Sequence, residues 1–323
     1  MNIRYIGKRL IQMIPVIIVV SIFAFFLVNI APGDPAQSYR TPDMSEEEYQ
    51  RIRDNFGLNE PIYVQYLDWG KNILKGNWGT SIKHNQPVIR LINQRIPATV
   101  GLMLASIVFS VVISIILGLV AGYKENSWVD KIINAITYLG ISIPNFWFGI
   151  LLILFFAVKV KWFPTTGMHS QGVNSVFDVI WHAVLPIFAI SVSKIAVYTK
   201  YIRANVIEQF QEDYVLTAIA KGASERRILF HHILKNCLLP IITMVGMNMG
   251  SLITGAFVIE SVFGWPGLGT LSFNAIMNRD YPLMMGTTML SCLLLILGNL
   301  MADLLYGIAD PRIKVGGSTN GKN

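Results

Sequence analysis

The side chains of this sequence that could do chemistry are scattered, and they form no known catalytic motif. There is no H-E-x-x-H zinc helix, no G-x-S-x-G nucleophile elbow and no G-x-x-x-x-G-K-[ST] phosphate loop. His231 and His232 are adjacent, so on a helix they point about 100° apart and cannot chelate one metal together without help. Cys237 and Cys292 are isolated, which favours apolar packing over a disulfide or a metal site. We therefore expect a non-catalytic chain that does not hydrolyse ATP in the usual phosphate-loop way.

One polar segment between two apolar runs, residues 212–240, has the pattern of a helix, a turn and a second helix. Two acidic residues at its start suit the N-terminal end of a helix dipole, and a short helix is predicted over Tyr214–Lys221. Gly222 then takes the position after the helix, where only glycine enters the left-handed region at little cost. Ser224 is a good N-cap for the second helix, which carries Glu225 near its start and leads into the next apolar run. This pattern predicts a rigid element that fits a groove on another protein.

Polar residues inside the apolar runs are candidates for a transport path, because in lipid they are costly and usually face a protein interior or water. Lys194 interrupts one run. It either lines a path and meets a substrate carboxylate, or it reaches the membrane surface or pairs with an acidic residue. Pro144 should kink its helix by removing a backbone hydrogen bond. The path candidates are Lys194, Ser142, Pro144, Asn145 and Asn248.

Two other features of the apolar runs bear on a path. Glu260 and Asp303 lie nearer to run ends, where solvation at the membrane interface is the simpler interpretation. The stretch from Gly264 to Gly269 is rich in Gly and Pro, so we expect irregular backbone there. Irregular backbone at membrane depth is typical of the protein-lined mouth of a path.

The composition places these features in a membrane protein. Of the 323 residues, 53% are hydrophobic and only 14% are charged, and the mean hydropathy is +0.51, whereas soluble domains carry about 25% charged residues. The net charge of +7 indicates membrane orientation rather than nucleic-acid binding, because basic residues cluster beside apolar runs. A span needs roughly 20 apolar residues in a helix. Six stretches qualify, the fourth weakly because of its lysine, and they are Leu10–Ala31, Thr99–Tyr123, Ile132–Val158, Ala183–Tyr201, Leu238–Val262 and Leu283–Ile308.

The distribution of Lys and Arg predicts that both termini face the cytoplasm. With the N-terminus inside, the two short outer loops carry only Lys159, Lys161 and Arg279, far fewer basic residues than the inner segments. We expect an all-α polytopic membrane protein with six transmembrane helices. Its parts would be the cytoplasmic N-terminus with the first helix (1–31), an extracytoplasmic helical cap (32–98), a five-helix transmembrane core (99–308) with a cytoplasmic loop (202–237), and a cytoplasmic C-terminal tail (309–323).

The outer segment has its own helix signals. Ser45 and Glu48 match a capping box, and the helix that follows would stop at Gly57. Further helices would run from Pro61 to near Gly76 and from Pro87 to before Pro97. A solvated cap explains these signals more simply than a docking surface does.

The segment 212–240 resembles the EAA loop of permease subunits of ATP-binding-cassette importers, in the peptide and nickel subfamily. That subfamily has a pattern close to E-D-Y-V-x-T-A-x-A-K-G, then S-E-R-R and later N-x-L-L-P, which this chain follows almost throughout. Residues 216–218 are Leu-Thr-Ala where the general loop has Glu-Ala-Ala, and the Leu-Pro falls later after the Gly; the subfamily shares both departures. Its landmarks recur along nearly the whole chain, at Ala31–Pro35, Phe56–Leu58, Gly79–Ser81, Ser142–Trp147, Gly264–Gly269, Arg279–Pro282 and Asp310–Arg312.

The resemblance implies an importer built from two homologous permeases, two cytoplasmic P-loop ATPases and an extracytoplasmic binding protein in a bacterial inner membrane. This chain would form half of the path for di- to oligopeptides, or for nickel chelates, glutathione or other small solutes. It would be non-catalytic, in contact with lipid and not with nucleic acid, and without a cofactor or metal, since its partners bind ATP and magnesium. A cleft of the ATPase would receive the segment, and the coupling residues would be Glu212, Asp213, Tyr214, Thr217, Ala218, Ala220, Lys221, Gly222, Ala223, Ser224, Glu225 and Arg226.

A self-sufficient secondary transporter or channel is the main alternative class. It predicts paired half-helices, inverted repeats or rings of charge in several spans, and none of these is evident in the sequence. It also leaves the helix–turn–helix segment unexplained. An intramembrane enzyme is disfavoured by the missing catalytic motifs.

Overall fold

The computed structural model describes residues 3–309 apart from 31–35, 37–39, 41–42, 56, 174 and 248. Side-chain surroundings are not described for residues 3–10, 55, 238–240, 242–243, 247, 249–255, 299 and 301–309. The described residues are almost entirely helical. The α-helices are α1 (Ile3–Ile30), α2 (Glu46–Asn55), α3 (Ile62–Leu74), α4 (Val88–Tyr123), α5 (Trp128–Ser142), α6 (Asn145–Leu152), α7 (Val176–Phe210), α8 (Asp213–Ala220), α9 (Glu225–Arg227), α10 (Leu234–Met247), α11 (Met249–Val262), α12 (Leu268–Met277) and α13 (Tyr281–Ala309). Two π-helical segments, Ile153–Lys159 and Ile228–Ile233, follow α6 and α9.

Four of the described helices are long and apolar enough to cross a membrane. They are α1, α4, α7 and α13, with mean hydropathies of 1.6 to 2.8 in their apolar stretches. A bent pair, α5 with residues 145–159, passes the same test if it is counted as one span. Helices α10 and α11 cover the predicted fifth span on either side of residue 248, which lies outside the described part of the chain. An all-helical polytopic membrane protein is confirmed.

The third predicted span is broken rather than kinked. Helix α5 ends at Ser142, α6 begins at Asn145, and the two halves are bent by 106°. Ile143 has extended backbone at φ −88° and ψ 126°, because a residue before proline is pushed out of the helical region. Pro144 then starts α6 from the N-cap position, where its missing N–H costs nothing. The prediction of one helix over 132–158 was wrong, although the proline was correctly chosen as the point of distortion.

The predicted third helix of the outer segment does not end before Pro97. Helix α4 starts after Pro87 as expected, but it continues through Pro97 to Tyr123 over 36 residues. Proline is tolerated inside a membrane helix when neighbouring groups satisfy the freed backbone. The boundary that we expected at 98 therefore falls inside a continuous helix.

The first two helices of the outer segment form as predicted. The Ser45 N–H donates to Glu48 Oε2 at 3.1 Å, and the Glu48 N–H donates to Ser45 Oγ at 3.2 Å, which is the reciprocal capping box. Gly57 follows α2 with φ +65°. Helix α3 packs on α1, where the Tyr66 hydroxyl lies 2.8 Å from Ser21 Oγ and the Tyr66 ring lies 5.5 Å from that of Phe25. The outer segment is thus attached to the first apolar helix.

The most extensive contact between described helices joins α4 to α7, and two glycines of α4 allow it. A Cβ atom on Gly118 would lie 2.5 Å from the Cβ of Ile202, and one on Gly122 would lie 2.6 Å from the Cβ of Val206. Carbon atoms normally pack about 3.5–4.0 Å apart, so a larger residue would push the helices apart. The spacing of the two glycines is that of small-residue interfaces between membrane helices.

We predict that Gly118→Val destabilises the protein by about 1–3 kcal/mol, because the added carbons overfill the α4–α7 interface. The measurement is the thermal unfolding midpoint of the purified protein in detergent. Gly101→Val is the matched control, because Gly101 lies in the same helix and, beyond the adjacent helix backbone, no described residue has an atom within 4 Å of an added Cβ. Equal midpoints for the two variants would show that close approach at Gly118 does not stabilise this packing.

Candidate functional site

The segment after α7 consists of a short helix, a glycine turn and a second helix, as the sequence predicts. Helix α8 ends at Ala220, and Gly222 has φ +77°. The Gly222 N–H donates to the Ile219 carbonyl at 2.9 Å, and the Ala223 N–H donates to the Ala218 carbonyl at 3.0 Å. These two bonds form a Schellman motif, which satisfies the last carbonyls of the helix. Gly222 therefore sets the angle between α8 and the second helix, α9.

The N-cap positions of the two helices are occupied as predicted, but without side-chain caps. Glu212 precedes α8 and Ser224 precedes α9, both with extended backbone and neither with a side-chain capping bond. Glu225 instead accepts a hydrogen bond from the hydroxyl of Tyr123, the last residue of α4. The second helix continues through the π-helical segment into α10, as expected. Part of the predicted loop 202–237 is helical too, because α7 extends to Phe210.

Helix α8 is attached to the helices on both sides of it by a three-residue hydrogen-bond network. The Tyr214 hydroxyl donates to Gln209 Oε1 at 2.5 Å and accepts from Asn236 Nδ2 at 2.9 Å, and Asn236 also donates to Gln209 at 3.1 Å. Burial raises the pKa of the Tyr214 phenol, so the hydroxyl stays protonated as a donor. Below this network, Val215 and Ala218 are buried in an apolar cluster with residues of α4, α7 and α10. The segment is thus held in place by its contacts with α4, α7 and α10.

The opposite face of α8 is exposed and partly apolar. Leu216 and Ile219 are 52% and 50% exposed, and Phe230 of the second helix is 63% exposed. Apolar side chains grouped among charged ones are typical of a surface that contacts another protein. Of the sequence-predicted coupling residues, Ala218 is buried and Tyr214 and Ala223 are half-buried. The exposed ones are Glu212, Asp213, Thr217, Ala220, Lys221, Gly222, Ser224, Glu225 and Arg226.

An ion pair beside this segment was not predicted. Arg203 of α7 donates to both carboxylate oxygens of Asp130 in α5, at 2.6 Å and 2.7 Å. Asp130 is buried and also accepts from the Asn126 N–H at 2.9 Å and from Asn134 Nδ2 at 2.7 Å. From the sequence, Arg203 could be interpreted only as one of the basic residues that orient the protein in the membrane. No local pattern pairs it with a residue 73 positions away. The clamp joins the start of α5 to the end of α7.

The structure places one of the path candidates, Asn145, against α7 beside another, Lys194. Asn145, at the start of α6, donates from Nδ2 to Ser193 Oγ at 3.2 Å, and Ser193 precedes Lys194 on α7. Lys194 is half-buried. Ser142 is the last residue of α5 and Pro144 is the N-cap of α6, so these two residues flank the break just before Asn145. The remaining candidate, Asn248, lies outside the described residues.

The Gly-rich segment is irregular from Gly264 to Gly267, whereas Leu268 and Gly269 already belong to α12, and most of the segment is packed inside the protein. The Trp265 indole N–H donates to the Ala98 carbonyl at 3.1 Å, and the Leu268 N–H donates to Thr99 Oγ1 at 2.8 Å. The interpretation of Glu260 as a solvated interfacial residue was wrong. Its side chain is fully buried and accepts the Gly269 N–H at 2.6 Å, because the segment folds back over the end of α11. Asp303 has no described side chain.

The fold and this segment define a class of protein: a polytopic membrane protein that exposes an ordered helix–turn–helix between two of its apolar helices. Residues 114–315 match the family described as the inner membrane component of binding-protein-dependent transport systems. Residues 2–103 match the N-terminal part described for the membrane components of such systems. The chain belongs to this family of ABC transporter permeases.

Similar proteins match over nearly their whole length. The oligopeptide transport system permease protein AppB of Bacillus subtilis is 41% identical over 96% of this chain and 99% of its own. The dipeptide transport system permease protein DppB of Alkalihalophilus pseudofirmus is 33% identical, and the glutathione transport system permease protein GsiC of Escherichia coli is 35% identical, with the same coverages. The resemblance to importer permeases that the sequence showed is confirmed.

We predict that Asp130→Ala destabilises the protein by about 3 kcal/mol, because it leaves the Arg203 guanidinium without its bidentate partner. Unfolding midpoints in detergent provide the measurement. The control is Asp68→Ala in the exposed pair with Lys71, where both side chains are more than half exposed and the loss should stay below about 1 kcal/mol. If the two substitutions have equal effects, the Asp130–Arg203 clamp contributes no more than a surface pair.

Proposed function

We propose that this chain is the permease subunit of an ATP-driven importer and forms half of a path for di- to oligopeptides that a binding protein delivers. The turn at Gly222 is the observation that carries the proposal. It holds α8 in one orientation and leaves Leu216 and Ile219 exposed on the side away from the bundle. An ordered protruding helix with an apolar face suits a docking cleft on an ATPase far better than it suits lipid or water.

The partners in this proposal are a second homologous permease, two cytoplasmic P-loop ATPases and an extracytoplasmic binding protein. The chain is then a non-catalytic subunit, and its partners bind ATP and magnesium. Family membership supports a binding-protein-dependent system. The names of the oligopeptide and dipeptide relatives support peptides as the substrate. The glutathione relative fits the same class, because glutathione is itself a short peptide.

The proposed topology has six spans with both termini in the cytoplasm of a bacterial cell. The bent pair α5–α6 forms the third span, and α10 with α11 forms the fifth. Helices α2 and α3 then form an extracytoplasmic cap, and α8 lies in the cytoplasm. The bias of Lys and Arg toward the inner segments supports this orientation.

The contacts of α8 suggest how closure of an ATPase would reach the membrane. A displacement of α8 passes to α7 and α10 through Tyr214 and the buried Val215, and to α4 through the Tyr123–Glu225 hydrogen bond. Because the turn at Gly222 is fully hydrogen-bonded, α8 and α9 move as one body. We place the substrate path near Lys194 and the α5–α6 break at Ser142, Pro144 and Asn145, where polar groups meet at membrane depth, and we retain Asn248 as a candidate.

We predict the sidedness of cysteine labelling. In a background with Cys237→Ala and Cys292→Ala, an impermeant maleimide should label Glu47→Cys in intact cells, because α2 lies outside. Ser224→Cys should react only after permeabilisation. Reaction of Ser224→Cys in intact cells would contradict the proposed orientation.

We predict that Gly222→Val uncouples the importer. The backbone strain costs on the order of 1–2 kcal/mol. Apart from its chain neighbours, no described residue has an atom within 4 Å of the added Cβ, so the protein should insert and pair with its sister subunit. The branched side chain would nevertheless project into the ATPase cleft. Glu225→Lys should act likewise by breaking the Tyr123 bond and reversing charge at a helix N-terminus. The measurements are co-purification of the ATPases and substrate-stimulated ATP hydrolysis.

Gly76→Val is the matched control for Gly222→Val. Gly76 also follows a helix and has φ +81°, and apart from its chain neighbours no described residue has an atom within 4 Å of an added Cβ, but it lies in the cap. It should carry similar strain and leave ATPase binding intact. If Gly222→Val retains normal ATPase binding and transport, this segment is not the coupling element.

A further inference from the structure

Glu260 is a buried acidic residue for which neither the sequence motifs nor the coupling proposal gives a role. It lies near the end of α11 with none of its surface exposed to solvent. A carboxylate without water is costly, so its buried partners must offset that cost. They all belong to the Gly-rich segment and to α4.

Glu260 binds both ends of the turn that connects α11 to α12, one through its carboxylate and the other through its backbone carbonyl. Oε2 accepts the Gly269 N–H at 2.6 Å, and the Glu260 backbone carbonyl accepts the Trp265 N–H at 2.8 Å. Oε1 is buried and has no hydrogen-bond partner among the described residues. The residue thus binds the segment through one carboxylate oxygen while the other keeps an unmet hydrogen-bonding capacity.

The glycines of the segment are required by how closely it approaches α11. A Cβ on Gly267 would lie 2.3 Å from the Glu260 carboxyl carbon, and one on Gly269 would lie 2.3 Å from the Cα of Phe257. Neither distance is compatible with an L side chain without movement. The segment is therefore drawn down onto α11, and Glu260 lies at the point of closest approach.

The far side of the segment is bound to α4. Leu268, Trp265 and Pro266 bond to Thr99, Ala98 and Arg95 respectively, the last through Arg95 Nη1 at 3.2 Å to the Pro266 carbonyl. Glu260 binds the same segment from α11, so the segment is held between α11 and α4. In the proposed topology this packed region of α4, α11 and the Gly-rich segment, the extracytoplasmic layer, is on the extracytoplasmic side of the membrane.

We propose that Glu260 is the positioning residue that keeps the extracytoplasmic layer shut in the resting importer, by pulling the start of α12 onto α11. The inference rests on the proposed function for its sidedness. Because the Glu260 carboxylate is fully buried in this arrangement, a displacement that admits water to it recovers part of the desolvation cost. The layer therefore excludes solvent in this arrangement, while the hydration that Glu260 gains on opening favours its release.

Cysteine protection tests this role in the assembled importer. The reporter is Ala275→Cys in the cysteine-free background, because Ala275 lies on α12 and is 1% exposed. We expect slow reaction with an impermeant maleimide when Glu260 is present and a rate about tenfold higher or more with Glu260→Ala, as expected for losing a hydrogen bond to a charged group. Glu260→Gln should restore protection, because its amide oxygen can still accept from Gly269.

A second reporter separates local release from misfolding. Ala121→Cys is also buried and lies at the cytoplasmic end of α4 in the proposed topology, so it is probed with the same maleimide in permeabilised cells, where it should stay protected in every variant. Protection of Ala275→Cys in Glu260→Ala would overturn the proposal, and so would equal loss of protection at both reporters. If the topology alone is wrong, Ala275→Cys will react only after permeabilisation, but its dependence on Glu260 will remain.

Gly267→Ala provides a test that leaves Glu260 in place. Its methyl group must displace the carboxylate, so it should raise labelling of Ala275→Cys by a similar factor. Combined with Glu260→Ala it should add little, because the clash requires the carboxylate. Fully additive effects would contradict the proposal. If Glu260→Ala does not reach the membrane, Gly267→Ala alone decides: continued protection of Ala275→Cys overturns the assignment.

Discussion

The close packing of α4 against α7 is the constraint on which the rest of the described structure depends. It is possible only because Gly118 and Gly122 let the side chains of Ile202 and Val206 approach the α4 backbone. In a membrane the hydrophobic effect does little to hold helices together, so close van der Waals packing at small residues must do so. Helix α4 has 36 residues and is therefore about 54 Å long. Whatever binds either of its ends is joined to the other by one continuous element.

Other segments of the protein are hydrogen-bonded to both halves of α4. At its C-terminal end Tyr123 bonds to Glu225, and near its N-terminal end Thr99 and Ala98 bind the Gly-rich segment. Helix α7 has a similar position with respect to the bent pair: Arg203 binds Asp130 of α5, and Ser193 binds Asn145 of α6. The two halves of the broken span are therefore both attached to α7. Helix α8 is in turn attached to α7 and α10 through the hydrogen bonds of Tyr214.

Two of the buried acidic residues have partners that join separate helices or segments. Asp130 is paired with Arg203 and receives two further hydrogen bonds. Asp280 lies at the start of α13, where it accepts the Ser81 hydroxyl at 2.5 Å and the Leu283 N–H at 3.3 Å, and so joins the outer segment to the last apolar helix. Glu260 differs, since one of its carboxylate oxygens is without a partner among the described residues. In a bilayer such an imbalance is costly, and it occurs where the Gly-rich segment packs on α11.

The sequence by itself determined the features that neighbouring residues control. The capping box at Ser45, the left-handed turn at Gly222 and the distortion at Pro144 were all predicted, because each follows from the chemistry of a few adjacent residues. The importer family was also evident from the pattern around residues 212–240. Only the tertiary structure decided whether Pro97 ended a helix, whether Glu260 met water or protein, and which acidic residue paired with Arg203. Those outcomes depend on packing between segments far apart in the chain, since Asp130 and Arg203 are 73 residues apart and Thr99 and Leu268 are 169 apart. Local periodicity carries no information about such contacts, because burial and pairing are properties of the assembled helices.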